Sequence, residues 1–244
     1  DRVQLPRIYL SWITPPQYTP ADADLTLVGR ILAGGKNSRL YKRLVYDAQI
    51  AQNVMAGNDS GALGSNFTIV VTAKPAPGAP AKSPQAMIDE VRTIVDEELE
   101  KLRREPPSAR ELERVVNQTE AAFFDAIERV GGFGGKADLL NAYFVATGNP
   151  DFFNEDLAQY RARSVTDVQA AVRRWLPSDR RVELTVLPKQ QSARRRDTPC
   201  DSSPHSHSRS PSLRPSLRSR PTGRRRRRPA PRRASNCPRS RSAR

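Results

Sequence analysis

The sequence predicts an α+β fold, a largely antiparallel sheet with helices packed on one face. Three observations predict it. Extended apolar segments lie near each end of residues 1–188. Two more, "IAQNVMAGN" and "GSNFTIVVTAK", sit together across the turn-forming "DSGALG" and read as a hairpin. From Ser83 to Leu176 the apolar residues follow helical spacing in successive blocks. Hairpin-linked strands followed by a run of helices is the α+β pattern. About 190 residues is long enough to build one sizeable core.

Each element has its own justification. "PRIYLSWIT" (Pro6 to Thr14) is β-rich and bounded by prolines, so it reads as a strand. A helix follows over "TPADADLTLVGRILAGG". Thr19 can cap it, Pro20 suits its first turn, and Asp22 and Asp24 favour its positive end. Leu25, Val28, Ile31 and Leu32 form its apolar stripe, and Gly34 or Gly35 stops it. Ser38 to Tyr46 is a second, short helix. In the second strand of the hairpin, Phe67, Ile69 and Val71 share one face. The proline-rich "PAPGAPAK" is a loop.

Ser83-Pro84 opens a long helix with Met87, Ile88, Val91, Ile94, Val95, Leu99 and Leu102 on one side and charge on the other. "SARE" (Ser108 to Glu111) is a capping box. It starts a helix carrying Leu112, Val115, Val116, Ala122, Phe123, Ile127 and Val130. Helical segments follow over about Gly135 to Thr147 and Asp151 to Tyr160, then "SVTDVQAAVRRWL" with Ser164 as its cap. "RVELTVLP" (Arg181 to Pro188) closes residues 1–188 as a strand.

Charge divides the chain. The 244 residues carry +15, but residues 1–188 hold 23 Lys and Arg against 24 Asp and Glu. Residues 189–244 hold 18 against 2. The basic balance therefore belongs to the tail, and nucleic-acid binding by the larger part loses its main support. The tail is rich in Arg, Ser and Pro with few large apolar residues, a composition expected to be disordered. Two readings of it stand. It is either the product of out-of-frame translation of GC-rich DNA or a real polybasic arm able to grip phosphate. The chain begins at Asp1 with no signal-peptide pattern, which suggests a fragment, a processed product or one half of something larger.

Catalytic chemistry is narrowly bounded. The only histidines, His205 and His207, and the only cysteines, Cys200 and Cys237, lie in the tail. Residues 1–188 thus carry no disulfide framework, no His- or Cys-ligated metal site and no Ser–His or Cys–His pair. No apolar run approaches ~18 residues, so no membrane span is expected. The glycine clusters "GGK" (Gly34 to Lys36) and "VGGFGGKAD" (Val130 to Asp138) follow helices rather than strands, and Ala137 stands where a phosphate loop needs a hydroxyl. The carboxylates of "DEELE" lie on the polar face of a long helix and read as solvated charge.

One stretch carries more. "AGGKNSRLYKRLVYDAQIAQNVMAGNDSGALGSNFTIVVTAKP" resembles the non-catalytic halves of the pitrilysin/insulinase-like zinc metallopeptidases, a family related to the mitochondrial processing peptidase subunits. "ARELERVVNQTEAAFFDAIERVGGFGGKADLLNAYFVATGNPDFF" and "SVTDVQAAVRRWLPSDRRVELTVLP" resemble the same family in order, so the likeness runs from about Arg2 to Pro188. The resemblance implies a sheet of about six strands flanked by helices, one metallohydrolase-like half of a clamshell around a peptide chamber. It assigns residues 1–188 to the inactive domain and leaves residues 189–244 without a counterpart. The inverted zinc motif His-x-x-Glu-His is missing here, so zinc is expected only in the partner catalytic half, within the same parent chain or on a separate subunit.

The resemblance also implies a role for the glycine loop. Gly34, Gly35, Ser38, Arg39 and Tyr41 become candidate substrate-binding residues. Glycines let a loop approach an extended peptide, and Ser38 is placed to cap the helix behind it. The loop is short, Gly34 to Asn37, beside that of the processing peptidase's substrate-recognising subunit. On this reading the chain is a metal-free accessory half that is inactive alone. Two other readings compete with it: a catalytically inert scaffold relative, and a nucleic-acid binder acting through the tail. Exported bacterial relatives make the periplasm the expected compartment.

Overall fold

A computed structural model describes residues 3–131 and 133–189. The expected disordered tail lies outside the described residues from position 190 onward. The elements come in the order read from the sequence. They are β1 (Arg7–Thr14), α1 (Pro20–Ala33), α2 (Arg39–Tyr41) continuing into a π-helical stretch (Lys42–Asp47), β2 (Ala51–Asp59) and β3 (Ser65–Ala73). Then follow α3 (Pro84–Arg104), α4 (Ala109–Glu128), α5 (Lys136–Thr147), α6 (Phe153–Arg161), α7 (Val165–Trp175) and β4 (Val182–Val186).

The sheet has four strands in the order β2-β3-β1-β4, and every neighbouring pair is antiparallel. The resemblance implied about six. Among the described residues, the chain between β3 and β4 is taken up by five helices and their connections, so it adds no strand.

Alternation sets the two faces of the sheet. Ile8, Leu10 and Trp12 of β1 and Phe67, Ile69 and Val71 of β3 point into the core. Register pairs Trp12 with Phe67 and Ile8 with Val71, and the Trp12 and Phe67 rings meet edge-on at 6.1 Å. Helix α1 crosses this face. Leu25, Val28, Ile31 and Leu32 are all fully buried, as their spacing requires. Thr19 accepts a hydrogen bond from the Asp22 amide at 3.3 Å, and Pro20 occupies the first turn.

Side chains close the helix ends elsewhere. Ser108 with Glu111 and Ser164 with Asp167 each form a reciprocal capping box. In α3, Ile88, Val91, Val95, Leu99 and Leu102 are buried, with Met87 and Ile94 packed at the margin. Helix α4 follows its predicted stripe only part of the way. Leu112 and Val115 are buried, but Ala122 and Val130 are exposed. The second half of α4 leans instead on α6, through Phe123 against Phe153 at 5.6 Å and Tyr160 at 5.4 Å.

Candidate functional site

The loop from Gly34 to Tyr41 is built by one turn and one ion pair. Gly34 caps α1, its amide donating to the Arg30 carbonyl at 2.8 Å. Gly35 has φ +100, and a Cβ there would meet nothing within 4 Å. Backbone conformation rather than crowding therefore selects glycine at this position. Ser38 stands at the N-cap of α2, yet its side chain makes no cap hydrogen bond. Its hydroxyl donates back to the Gly35 carbonyl at 2.6 Å, and its amide joins the same oxygen at 3.1 Å. The capping role expected of Ser38 is thus corrected: the hydroxyl closes the loop itself. Gly35, Lys36 and Asn37 remain exposed at the tip.

Arg39 turns away from that tip. Its Nε and Nη2 donate to the two carboxylate oxygens of Glu111 at 2.8 and 2.9 Å, a bidentate geometry. Glu111 also accepts from the Ser108 amide at 2.9 Å, so one carboxylate both caps α4 and anchors α2. The Arg39 hydrogen bonds lead in holding the Glu111 pKa down at about 2, helped by the Ser108 amide against the cost of burial. The same partner raises the Arg39 pKa. Next along, Arg43 pairs with Glu98 at 3.0 Å and with Glu97. Tyr41 packs on Tyr46 of its own helical stretch, ring centroids 5.5 Å apart, while Leu40 and Leu44 are fully buried.

The five predicted residues therefore do not converge. Gly34, Gly35 and Ser38 form one turn, whereas Arg39 is committed to Glu111 and Tyr41 to Tyr46. Of the five, only Arg39 lines the shallow cleft of about 660 Å³ between this segment and α3, beside Arg43, Glu98 and Glu111.

Sequence reasoning missed two features. One is the open face of the sheet, where β1 presents Arg7, Tyr9, Ser11 and Ile13 opposite Thr72, Val70, Thr68 and Asn66 of β3. Arg7 donates to Thr72 at 3.1 Å and Ser11 to Asn66 at 2.5 Å, while Ile13, Met55, Val182 and Leu184 are exposed. The alternation that placed Phe67 and Ile69 inward also places their neighbours outward, so this face was readable from the sequence.

The other is a set of buried carboxylates. Asp22 accepts from the Tyr18 amide at 3.0 Å, Asn58 at 2.7 Å and Ser60 at 2.5 Å, tying the start of α1 to the β2–β3 turn. Asp156 accepts the Tyr143 hydroxyl at 2.8 Å, and burial raises its pKa to about 6. Asp24 is also raised to about 6 by burial, with Arg163 at 4.0 Å pulling the other way. Asp22 and Asp156 are hydrogen-bonded to their own neighbours, whereas the buried Oδ1 of Asp24 has no hydrogen-bond partner among the described residues. Among the described residues no group of three or more His, Cys, Asp or Glu is arranged to hold a metal ion. Nor is any described helix long and apolar enough to cross a membrane.

Residues 1–119 match the family model of the peptidase M16 inactive domain. The fold as a whole is shared with solved structures. The inactive peptidase domain of a candidate zinc protease from Bordetella parapertussis is 22% identical, with a TM-score of 0.64, over 80% of this chain and 97% of that one. A protease from Helicobacter pylori is 18% identical, with a TM-score of 0.62, over 77% of this chain and 42% of that one. A peptidase M16 inactive domain from Pseudomonas fluorescens is 18% identical, with a TM-score of 0.59, over 78% of this chain and 42% of that one. The chain thus spans less than half the length of two of these three relatives. No curated protein matches it.

Proposed function

For a chain whose residues 1–119 match the family model of the peptidase M16 inactive domain, we propose the role of a metal-free accessory half. It helps to enclose and bind a peptide beside a zinc-bearing catalytic half. The observation that carries this reading is the family match, made to a sequence whose residues 1–188 contain no histidine and so no His-x-x-Glu-His motif. The relatives of which it spans 42% leave room for a second half in the parent protein.

Within this half, the segment Gly34 to Tyr41 is the proposed substrate side, with its parts doing different work. The exposed tip Gly35–Asn37 meets the peptide, since a glycine backbone admits close approach. Ser38, Gly34 and the Arg39–Glu111 pair hold the tip in place, and Tyr41 braces the helix behind it. Steady-state kinetics of the chain combined with a zinc-bearing catalytic half tests the proposal. Peptide cleavage should require both halves. Lys36→Ala, which removes an exposed side chain, should raise KM severalfold at unchanged kcat, the pattern of lost ground-state binding. Full cleavage by the catalytic half alone would refute the accessory role. An unchanged KM in Lys36→Ala would remove the loop tip from the substrate side.

A further inference from the structure

At one end of the open sheet face lies a cleft of about 500 Å³, lined by Ile13, Asn66, Arg174, Trp175, Arg180 and Val182 among others. Its charge is local. Residues 1–188 are nearly balanced, yet residues 173–181 hold four arginines and a single acid, Asp179.

Two of these arginines are already engaged. Arg181 forks onto Asp96, with Nη2 to Oδ2 at 3.0 Å, and Arg173 donates to the Arg103 carbonyl at 2.6 Å. The other two are not. The Arg174 guanidinium lies 4.8 Å over the Trp175 ring, and among the described residues it has no carboxylate partner. Among the described residues, Arg180 has only its sequence neighbour Asp179 at 4.0 Å, with both side chains more than three-quarters exposed. A pair so solvated holds its arginine weakly. The same cleft is lined by two aliphatic side chains open to solvent, Ile13 at 86% and Val182 at 69% exposed.

We propose that this cleft binds a carboxylate-bearing peptide segment, with an apolar residue on Ile13 and Val182 and the carboxylate between Arg174 and Arg180. The ring beneath Arg174 restrains its planar guanidinium, which lowers the ordering cost of receiving a carboxylate. The carboxylate belongs either to an acidic side chain or to a peptide C-terminus. A nucleic-acid strand fits less well. Base stacking needs an open aromatic face, and here Arg174 covers that of Trp175. The choice of a peptide as ligand rests on the accessory-half reading, whereas the cations and the apolar lining are independent of it.

Tryptophan fluorescence of the full chain reads this cleft selectively. Trp175 lines it, and residues 189–244 contain no tryptophan to report binding by the basic tail. The probes are a capped peptide with Glu beside Val, its Gln counterpart, and a peptide ending in Val as free acid or amide. A saturable change should accompany the Glu peptide, the free acid, or both. It should be absent with the Gln and amide forms and weaken as salt rises. Arg174→Ala with Arg180→Ala should bind about tenfold more weakly at an unchanged circular dichroism spectrum.

A response to Glu alone assigns the site to acidic side chains, and a response to the free acid alone assigns it to C-termini. Equal affinity in the double variant, equal binding of the uncharged peptides, or tighter binding of a single-stranded oligothymidine with the same signal would each overturn the proposal. Because the chain is assayed without a catalytic half, such a failure leaves the accessory-half reading standing.

Discussion

Helix α3 buries Ile88, Val91, Val95, Leu99 and Leu102 along one stripe, whereas α5, no less apolar in composition, buries Tyr143 alone. Phe144 and Val145 of α5 are 59% and 74% exposed. What holds α5 is a polar contact in an aromatic setting. The Tyr143 hydroxyl donates to Asp156, while its ring packs 5.2 Å from Tyr18 and 5.7 Å from Phe152. Apolar content alone therefore does not say what secures a helix. Periodicity secures α3, and one tyrosine secures α5.

The largest effect expected from this contrast lies in α3. Leu99→Ala should cost about 2–5 kcal/mol by removing a fully buried side chain. Phe144→Ala should stay within about 0.5 kcal/mol. Urea unfolding of both variants checks the pair, and comparable losses would erase the distinction. The next effect belongs to Tyr143→Phe, which leaves the Asp156 carboxylate short of its donor. A cost of about 1–3 kcal/mol is expected, concentrated locally. Limited proteolysis should cut faster between α4 and α6 than elsewhere. Uniform acceleration along the chain would mean that α5 and the sheet unfold together.

The order of elements was legible because it rests on local signals: Ser and Thr caps, Pro in first turns, period-2 strands and the "DSGALG" turn. Contacts between distant residues were not. Nothing in the sequence distinguishes Arg39, which finds Glu111 72 residues away, from a solvated helix arginine. Val130 fits the α4 stripe by spacing but is 79% exposed, because α4 itself ends at Glu128 and periodicity cannot say where a helix stops. Asp22 and Asp24 read as charges favouring a helix N-terminus. Burial gives Asp22 a structural role that needed Asn58 and Ser60 in view. The family-model match ends at residue 119, close to where α4 leaves the core.

Titration sharpens the same contrast, with smaller effects of opposite sign. The folded pKa of Glu111 is depressed to about 2, below the ordinary 4.5. Its contribution is complete above about pH 4.5 and is lost as pH falls towards 2. Glu111→Gln should cost about 1 kcal/mol at pH 7, given the partial exposure of the pair, and less at pH 3. Denaturant melts at the two pH values test this, and a cost independent of pH would contradict it.

Asp156 runs the other way. Its folded pKa is raised to about 6 from 3.8, so its contribution is complete below about pH 3.8 and is lost as pH rises through 6. Burial is the main cause. Asp22 adds repulsion, and the Tyr143 hydrogen bond opposes both. Hydrogen exchange in α5 and α6, corrected for intrinsic rates, should therefore show tighter protection at pH 5 than at pH 7. Asp156→Asn should flatten that difference. A wild-type profile already flat across this window would detach α5 from the titration of Asp156.

A further consequence comes from the crossing of α1 over β2. A Cβ at Gly29 would stand 2.8 Å from the Gly57 Cα and 3.1 Å from the Ala56 carbonyl oxygen, so helix and strand meet backbone to backbone. Most contacts in the core can drift as side chains change rotamer or are exchanged for others of similar volume. This one has no side chain to exchange. Gly34 lies five residues farther along α1, about 7.5 Å at the helical rise. The crossing thus acts as a fixed datum from which the glycine loop is measured. Substitutions elsewhere in the core can alter how firmly the protein holds together while leaving the loop where it is. Even a single methyl group at position 29 should shift it.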